Sequence, residues 1–188
     1  GWHRVNAPGS AMDQLASCVR AGKARFMGIS SHHPDVLRLA ILSGRCDVVL
    51  FPVGPFVDDR YITDIIPLTR AHNIGSVCFK TFGAGKLVGN TSGYNQPLVQ
   101  RPRGKISSGG TNTVTGEIDE QRPRLSPEQC VRYTLTVDPD VALLGMSFPN
   151  EQDVAFAAAM NFTPMSAREM HRSEEHTSEL QSPCNLVC

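Results

Sequence analysis

The sequence predicts an α/β fold in which short strands alternate with helices, and three observations lead there. Apolar runs of strand length recur at Arg25–Ile29, Asp47–Phe51, Gly75–Phe79 and Val141–Gly145, with helix-period stretches between them. The run Asp47-Val-Val-Leu-Phe51 is β-branched and nearly continuous, which suits a parallel strand covered on both faces. Repeated βα units imply a parallel sheet, either open and doubly wound or closed as a (β/α)8 barrel. No early G-x-G-x-x-G unit is followed by an acidic residue about 20 positions on, which argues against a Rossmann domain. Four or so βα units amount to about half of a TIM barrel, since a whole one needs about 250 residues. The expected class is therefore α/β, an incomplete (β/α)8 TIM barrel.

Each element has a local reason. Ser10 to Ala21 puts Met12, Leu15, Ala16 and Val19 on one helical face, with Ser10 as N-cap and Gly22 as the stop. The strand Arg25–Ile29 follows, then Ser30-Ser-His-His33, and Pro34 opens a helix whose broad apolar face ends at Gly44. Pro52 closes the next strand. A third helix spans Tyr61 to His72, interrupted or entered around Pro67, and leaves through Asn73-Ile-Gly75. After the strand Gly75–Phe79, Ser126 caps a helix whose first residue is Pro127. Glu128 and Gln129 then sit at the positive end of its dipole. The last clear helix is Glu151 to Met160.

Composition sets bounds on partners. Of 188 residues, 40% are hydrophobic and 19% charged, and 18 basic side chains balance 18 acidic ones. That balance gives no electrostatic case for nucleic acid or an anionic membrane. No apolar run approaches the roughly 20 residues needed to span a bilayer. The chain begins at Gly1-Trp2-His3 without a Met, as a fragment would, so the absence of a targeting signal is uninformative; a cytoplasmic location is the expectation. Cys18, Cys46, Cys78 and Cys130 lie in apolar or helical contexts without C-x-x-C pairing and read as reduced core thiols.

The stretch Val77 to Leu87 joins the third strand to Gly83-Ala-Gly85. A strand running into a glycine loop is a place where backbone N–H groups can hold a phosphate, though a lone G-x-G is more often a tight turn. Residues 88–124 are rich in Gly, Ser, Thr, Asn and Pro, a length uncommon for a structureless loop, and read equally as a substrate-covering loop or an insertion. His32 and His33 are adjacent, so they point in different directions, and no carboxylate or Cys stands at ligand spacing. They read as loop polarity, and no metal site is expected.

The string Gly22-Lys-Ala-Arg-Phe-Met-Gly-Ile-Ser30 resembles the G-K-[VI]-R-x-[IL]-G-[VI]-S motif of the aldo-keto reductases. Asp47–Pro52, Phe79-Lys-Thr-Phe-Gly-Ala-Gly-Lys-Leu87 and the L-L-G-M-S block with Asn150-Glu-Gln152 also resemble that family's motifs, in its order. The resemblance implies a (β/α)8 barrel that reduces small-molecule carbonyl substrates with NADP or NAD. This chain would be its C-terminal portion, from the end of the fourth strand through the eighth helix. Of the family's catalytic Asp, Tyr, Lys and His, only the His has a counterpart here, at His3, expected at the end of a strand. The remaining roles implied are cofactor-binding. Ser30 and Ser31 would meet the nicotinamide carboxamide, and Phe79 would pack on the nicotinamide ring. Lys80, Phe82, Gly83, Ala84, Gly85 and Leu87 would line the pyrophosphate, and Gly145, Met146, Ser147, Glu151 and Gln152 the adenosine end. Three positions depart from the family: Ser31 replaces its Asn, Leu50 a common Gln, and Phe156 an Asn near adenine. No Arg or Lys stands near Gly145–Ser147 to select NADP over NAD.

Residues 1–171 are thus expected to form a partial barrel. Residues 172–188, from Arg172-Ser-Glu-Glu-His176 on, resemble translated sequencing adapter and are expected to be a non-native, disordered tail that includes Cys184 and Cys188. The expected function is an oxidoreductase fragment, inactive alone, that self-associates through exposed barrel edges. A cofactor-binding barrel without catalysis, and a phosphate-binding barrel of the isomerase or aldolase class, are the alternatives.

Overall fold

The structure, a computed structural model, describes residues 1–55, 57–83, 125–146 and 149–175. The elements are α1 (Trp2–Val5), α2 (Ala11–Arg20), β1 (Gly28–Ser30), α3 (Pro34–Leu42), β2 (Val48–Pro52), a π-helical turn (Tyr61–Ile65) leading into α4 (Ile66–Ala71), β3 (Gly75–Phe79), α5 (Pro127–Val137), β4 (Val141–Ala142), α6 (Pro149–Met160) and α7 (Ala167–Glu175). The strand order is β1-β2-β3-β4, and the β1–β2 and β2–β3 ladders are parallel. The chain falls into two compact units. One comprises Gly1–Pro52, Asp58–Phe79 and Pro139–Val141; the other comprises Val53–Val57, Lys80–Asp138 and Ala142–Cys188.

In the first unit, register separates the sheet into two faces. Ile29, Val49 and Ser76 are register partners, as are Phe51 and Cys78, so these residues share a face. Val49, Phe51 and Cys78 are wholly buried, as are Leu37, Ala40 and Ile41 of α3. Phe51 also stacks on Tyr61, ring centroids 5.7 Å apart, and burial pushes the Tyr61 phenol up to about 12. The alternate residues, Val48, Leu50, Val77 and Phe79, are only half-buried, and Ser30 is exposed. The run Asp47–Phe51 therefore lacks the equal cover on both faces that its composition suggested.

Strand β1 is shorter than Arg25–Ile29 and shifted toward Ser30. Phe26 is 62% exposed, so no burial holds Arg25–Met27 in a ladder. Asp47 instead joins the two segments: its carboxylate accepts from the Met27 N–H at 2.9 Å and its N–H donates to the Met27 carbonyl at 2.8 Å. At Gly28 the strands approach so closely that a Cβ would lie 2.2 Å from the Val48 carbonyl oxygen, so only glycine fits.

The interruption expected near Pro67 takes the form of a wide turn. The Ile66 N–H bonds to the Tyr61 carbonyl five residues back, and Pro67 has no N–H with which to restore the α pattern. Asn73, at φ 53°, then ends α4. Ser76 and Asp140 join β3 to the start of β4. The Ser76 N–H and hydroxyl donate to Asp140 Oδ2 at 2.7 and 2.8 Å, and the Asp140 N–H donates back to Ser76 Oγ at 3.0 Å. These donors hold the Asp140 carboxyl below the usual carboxylate range.

In the second unit, Ser126 does more than cap α5. Its Oγ accepts from the Gln129 N–H at 3.1 Å, while Gln129 Oε1 accepts from the Ser126 N–H at 2.8 Å, a reciprocal capping box. Cys130 and Val131 of α5 pack with Ala155 and Ala158 of α6 and with Phe82 and Leu125. β4 stops at Ala142, short of the expected Gly145, because Val141 and Leu143 are about half exposed and offer little burial for a longer ladder. α6 begins at Pro149, two residues before the expected start, since proline suits a first helical turn.

The boundary expected at residue 172 falls inside α7. That helix continues through Glu175, Ser173 is 5% exposed, and the Tyr133 hydroxyl donates to Glu174 Oε1 at 2.7 Å. Ser166 and Glu169 cap the helix at its start, and it carries across Arg172. Residues 176–188 lie outside the described residues, as does the loop 88–124.

Candidate functional site

Parallel strands bring their carboxyl ends to one edge of the sheet, where a α/β protein gathers its chemistry. In the first unit Ser30 ends β1 and Phe79 ends β3. Ser30 pairs with Leu50, Leu50 with Val77, and Phe79 lies two residues beyond Val77, so Ser30 and Phe79 share the less buried face. Leu50 stands between them as an aliphatic side chain, without the carboxamide of a Gln.

Ser30 and Ser31 have different roles. Among the described residues the Ser30 hydroxyl has no partner, and it is exposed. Ser31 is engaged in the chain's own turn: its N–H donates to the Leu50 carbonyl at 3.0 Å, and its Oγ accepts from the His33 N–H at 3.0 Å. The His32 ring packs against the Phe79 ring with centroids 5.4 Å apart and planes 60° apart. An open hydroxyl and a half-buried flat ring thus lie on one sheet face.

His3 does not end a strand. It lies in α1, exposed, beside the buried Trp2, and the Asn6 N–H closes that turn on the Trp2 carbonyl at 3.0 Å. The helical turn arises because Trp2 is buried, at 4% exposure, which turns its neighbour His3 outward.

In the second unit Lys80 has φ 65°, a left-handed conformation uncommon for a residue with a Cβ. The Gly83 N–H donates to the Lys80 carbonyl at 2.8 Å, closing a tight turn. Phe82 and Met146, both expected to line a ligand, pack instead with the apolar cluster around Cys130, so their side chains serve the core. Gly145 and Gln152 are exposed. Glu151 lies in α6; Ala84, Gly85, Leu87 and Ser147 lie outside the described residues. Phe156, where the resemblance places an Asn, is 62% exposed. No group of three or more His, Cys, Asp or Glu side chains able to hold a metal occurs among the described residues. The contact sequence reasoning missed is that of His32, for nothing local links it to a residue two strands away.

The sequence profile of the Aldo/keto reductase family matches residues 2–178, nearly the whole chain. The chain belongs to the aldo/keto reductase family. Its fold is similar to that of aldo-keto reductase AKR11C1 from Bacillus halodurans, in the holo form (TM-score 0.60, 16% identity, 95% of this chain and 59% of that one) and in the apo form (0.62, 17%, 97% and 62%). It is also similar to the glycerol dehydrogenase AKR11B4 from Gluconobacter oxydans (0.55, 17%, 95% and 57%). The chain thus spans about three fifths of the length of these relatives. No curated protein sequence matches it. The four-stranded sheet, with its parallel ladders, is part of the (β/α)8 barrel of the aldo/keto reductases. Among the described residues no helix is long and apolar enough to cross a membrane.

Proposed function

We propose that this chain is the cofactor-binding portion of an NAD(P)H-dependent reductase that converts a small carbonyl compound to an alcohol. The observation that carries this reading is the pairing of the open Ser30 hydroxyl with the Phe79 ring on one sheet face, in a chain of the aldo/keto reductase family. Phe79 would support the nicotinamide ring, and Ser30 would donate to or accept from its carboxamide. The bound dinucleotide would supply the hydride. This chain's own residues would fix which ring face is presented and exclude water from it. Ser31, held by its turn, would set the position of Ser30 more than it would meet the ligand.

Reduction also needs a proton donor beside the carbonyl. His3 is exposed on a helix, and no other residue of the chain corresponds to the family's Asp, Tyr or Lys, so the isolated chain is expected to bind cofactor without turnover. β1 and β4 terminate the strand order, so self-association through strand edges is expected, measurable as a concentration-dependent mass by sedimentation.

The test is a titration with NADPH and NADH, followed by nicotinamide fluorescence. Binding without carbonyl-dependent NAD(P)H oxidation is the expected result. Phe79→Ala should weaken dinucleotide binding about five- to tenfold and leave a simple sugar phosphate unaffected. Equal loss for both ligands would favour a phosphate-binding barrel of another chemistry. Steady carbonyl reduction by the chain alone would overturn the expected inactivity.

A further inference from the structure

We propose that His32 is a positioning residue that holds the Phe79 ring ready for a flat nicotinamide. This rests on the cofactor reading above. A half-buried phenylalanine at a strand end can rotate about its side-chain bonds, and ordering it on binding consumes affinity. The His32 ring restricts that freedom, its centroid 5.4 Å from that of Phe79 and its plane tilted by 60°, a favourable edge-to-face type of approach.

His32 can do this because its backbone is anchored on both sides. Before it, the Ser31 N–H is bonded to the Leu50 carbonyl of β2 at 3.0 Å. After it, the His33 N–H is bonded to Ser31 Oγ at 3.0 Å, and the buried Pro34 begins α3. The loop leaving β1 therefore reaches past the carboxyl end of β2 and meets the end of β3. Ser30, His32 and Phe79 form a short arc along that edge, with Ser31 serving as its internal tie. A Ser at 31 keeps the turn compact through its own hydroxyl.

The experiment uses the full chain and two ligands, NADPH and 2′-phospho-ADP-ribose, which lacks nicotinamide. His32→Ala is expected to weaken NADPH about fivefold while leaving 2′-phospho-ADP-ribose within experimental error. His32→Phe, which keeps a flat ring, is expected to restore most of the affinity. The double variant His32→Ala/Phe79→Ala should bind no more weakly than Phe79→Ala alone, because the two residues act as one unit. In the ligand-free chain, ring-current shifts on the His32 ring protons should vanish in Phe79→Leu, a readout independent of any cofactor. Equal weakening of both ligands by His32→Ala, additive losses in the double variant, or unshifted His32 protons would overturn the positioning role. If NADPH binds and His32→Ala changes nothing, the positioning role alone fails. If neither NADPH nor NADH binds the wild-type chain, the cofactor reading fails and the positioning role with it; if NADH alone binds, the same comparison is made with NADH and ADP-ribose.

Discussion

Replacing Asp140 by alanine should destabilise the first unit by about 2 kcal/mol, and the loss should disappear in acid. The magnitude follows from the clasp with Ser76. Asp140 Oδ2 accepts from both the Ser76 N–H at 2.7 Å and the Ser76 hydroxyl at 2.8 Å. When the carboxylate goes, the hydroxyl can turn elsewhere but the N–H cannot. It belongs to a residue 4% exposed and would be left without a partner. An unpaired buried N–H costs about 1–3 kcal/mol, and a hydrogen bond to a charged group contributes about 1.5–3. Asp140 itself is exposed, so water partly replaces it, and a middle value of about 2 is appropriate. Asp140→Asn keeps an acceptor oxygen and should lose roughly half as much.

The assay is urea unfolding followed by the fluorescence of Trp2, the chain's single tryptophan, which is buried in the same unit. With a slope of about 2 kcal/mol per molar urea, the midpoint should fall by about 1 M. The pH dependence has a definite sign. Ser76 holds the Asp140 carboxyl below its ordinary value in the folded chain. Its contribution is therefore complete above the unfolded carboxyl pKa of about 3.9 and is lost as pH falls through the lower, folded value. The difference between wild type and Asp140→Ala should be full at pH 7 and close in acid. A midpoint difference under about 0.3 M at pH 7, or one that stays constant from pH 7 to pH 3, would refute the reasoning.

Three further outcomes are expected. Gly28→Ala should destabilise the first unit by more than about 2 kcal/mol, read by the same Trp2 signal, since its Cβ would meet the Val48 carbonyl oxygen at 2.2 Å; an unchanged midpoint would show that β1 moves freely. Cys78 and Cys130 are wholly buried, and burial pushes both thiols up to about 12, so Ellman's reagent at pH 8 should modify the half-buried Cys18 well before these two and reach them only on unfolding, as peptide mapping would report. Ending the chain at His171 should weaken amide protection of α5 by about 1 kcal/mol, because the Tyr133 hydroxyl loses Glu174, and Glu174→Ala in the full chain should move protection in the same direction.

Much of the fold was legible because its signals are local. Ser126 and Pro127 announce a helix start, and Pro34 and Gly44 bracket another, so those boundaries agree with the structure to within a residue or two. Strand limits were harder to read, because β1 and β4 end where burial ends, and burial is a property of partners elsewhere in the chain. Helix α1 was missed because one turn around a buried Trp2 has no period to detect. α7 was missed for a related reason: its polar sequence is held to α5 by the Tyr133–Glu174 hydrogen bond and the Arg132–Glu169 ion pair rather than by an apolar stripe. At the site, Ser30 and Phe79 end strands while His3 lies on a helix, and the division of labour between Ser30 and Ser31 was not visible in the sequence. Ser30 and Ser31 are identical in sequence, and only the turn to His33 separates an open hydroxyl from an occupied one.

That division follows from the two-residue period of a strand. Val49, Phe51 and Cys78 point to the buried face and are interchangeable only with groups of like volume. Ser30, Leu50, Val77 and Phe79 point the other way, where burial is incomplete and a polar or flat group can meet a ligand. Substitutions should therefore separate by parity along β1, β2 and β3. Phe51→Ala should remove about 3–5 kcal/mol of stability and change binding only through unfolding. Phe79→Ala should leave the urea midpoint nearly in place and change dinucleotide affinity. Ser31 tests the rule from outside the ladder: Ser31→Ala frees the His33 N–H and loosens the loop that carries His32, so it should act on affinity through Phe79 although its hydroxyl faces its own turn. If Ser31→Ala and Ser30→Ala weakened NADPH and 2′-phospho-ADP-ribose to the same extent, the assignment of this sheet face to the nicotinamide end would be wrong.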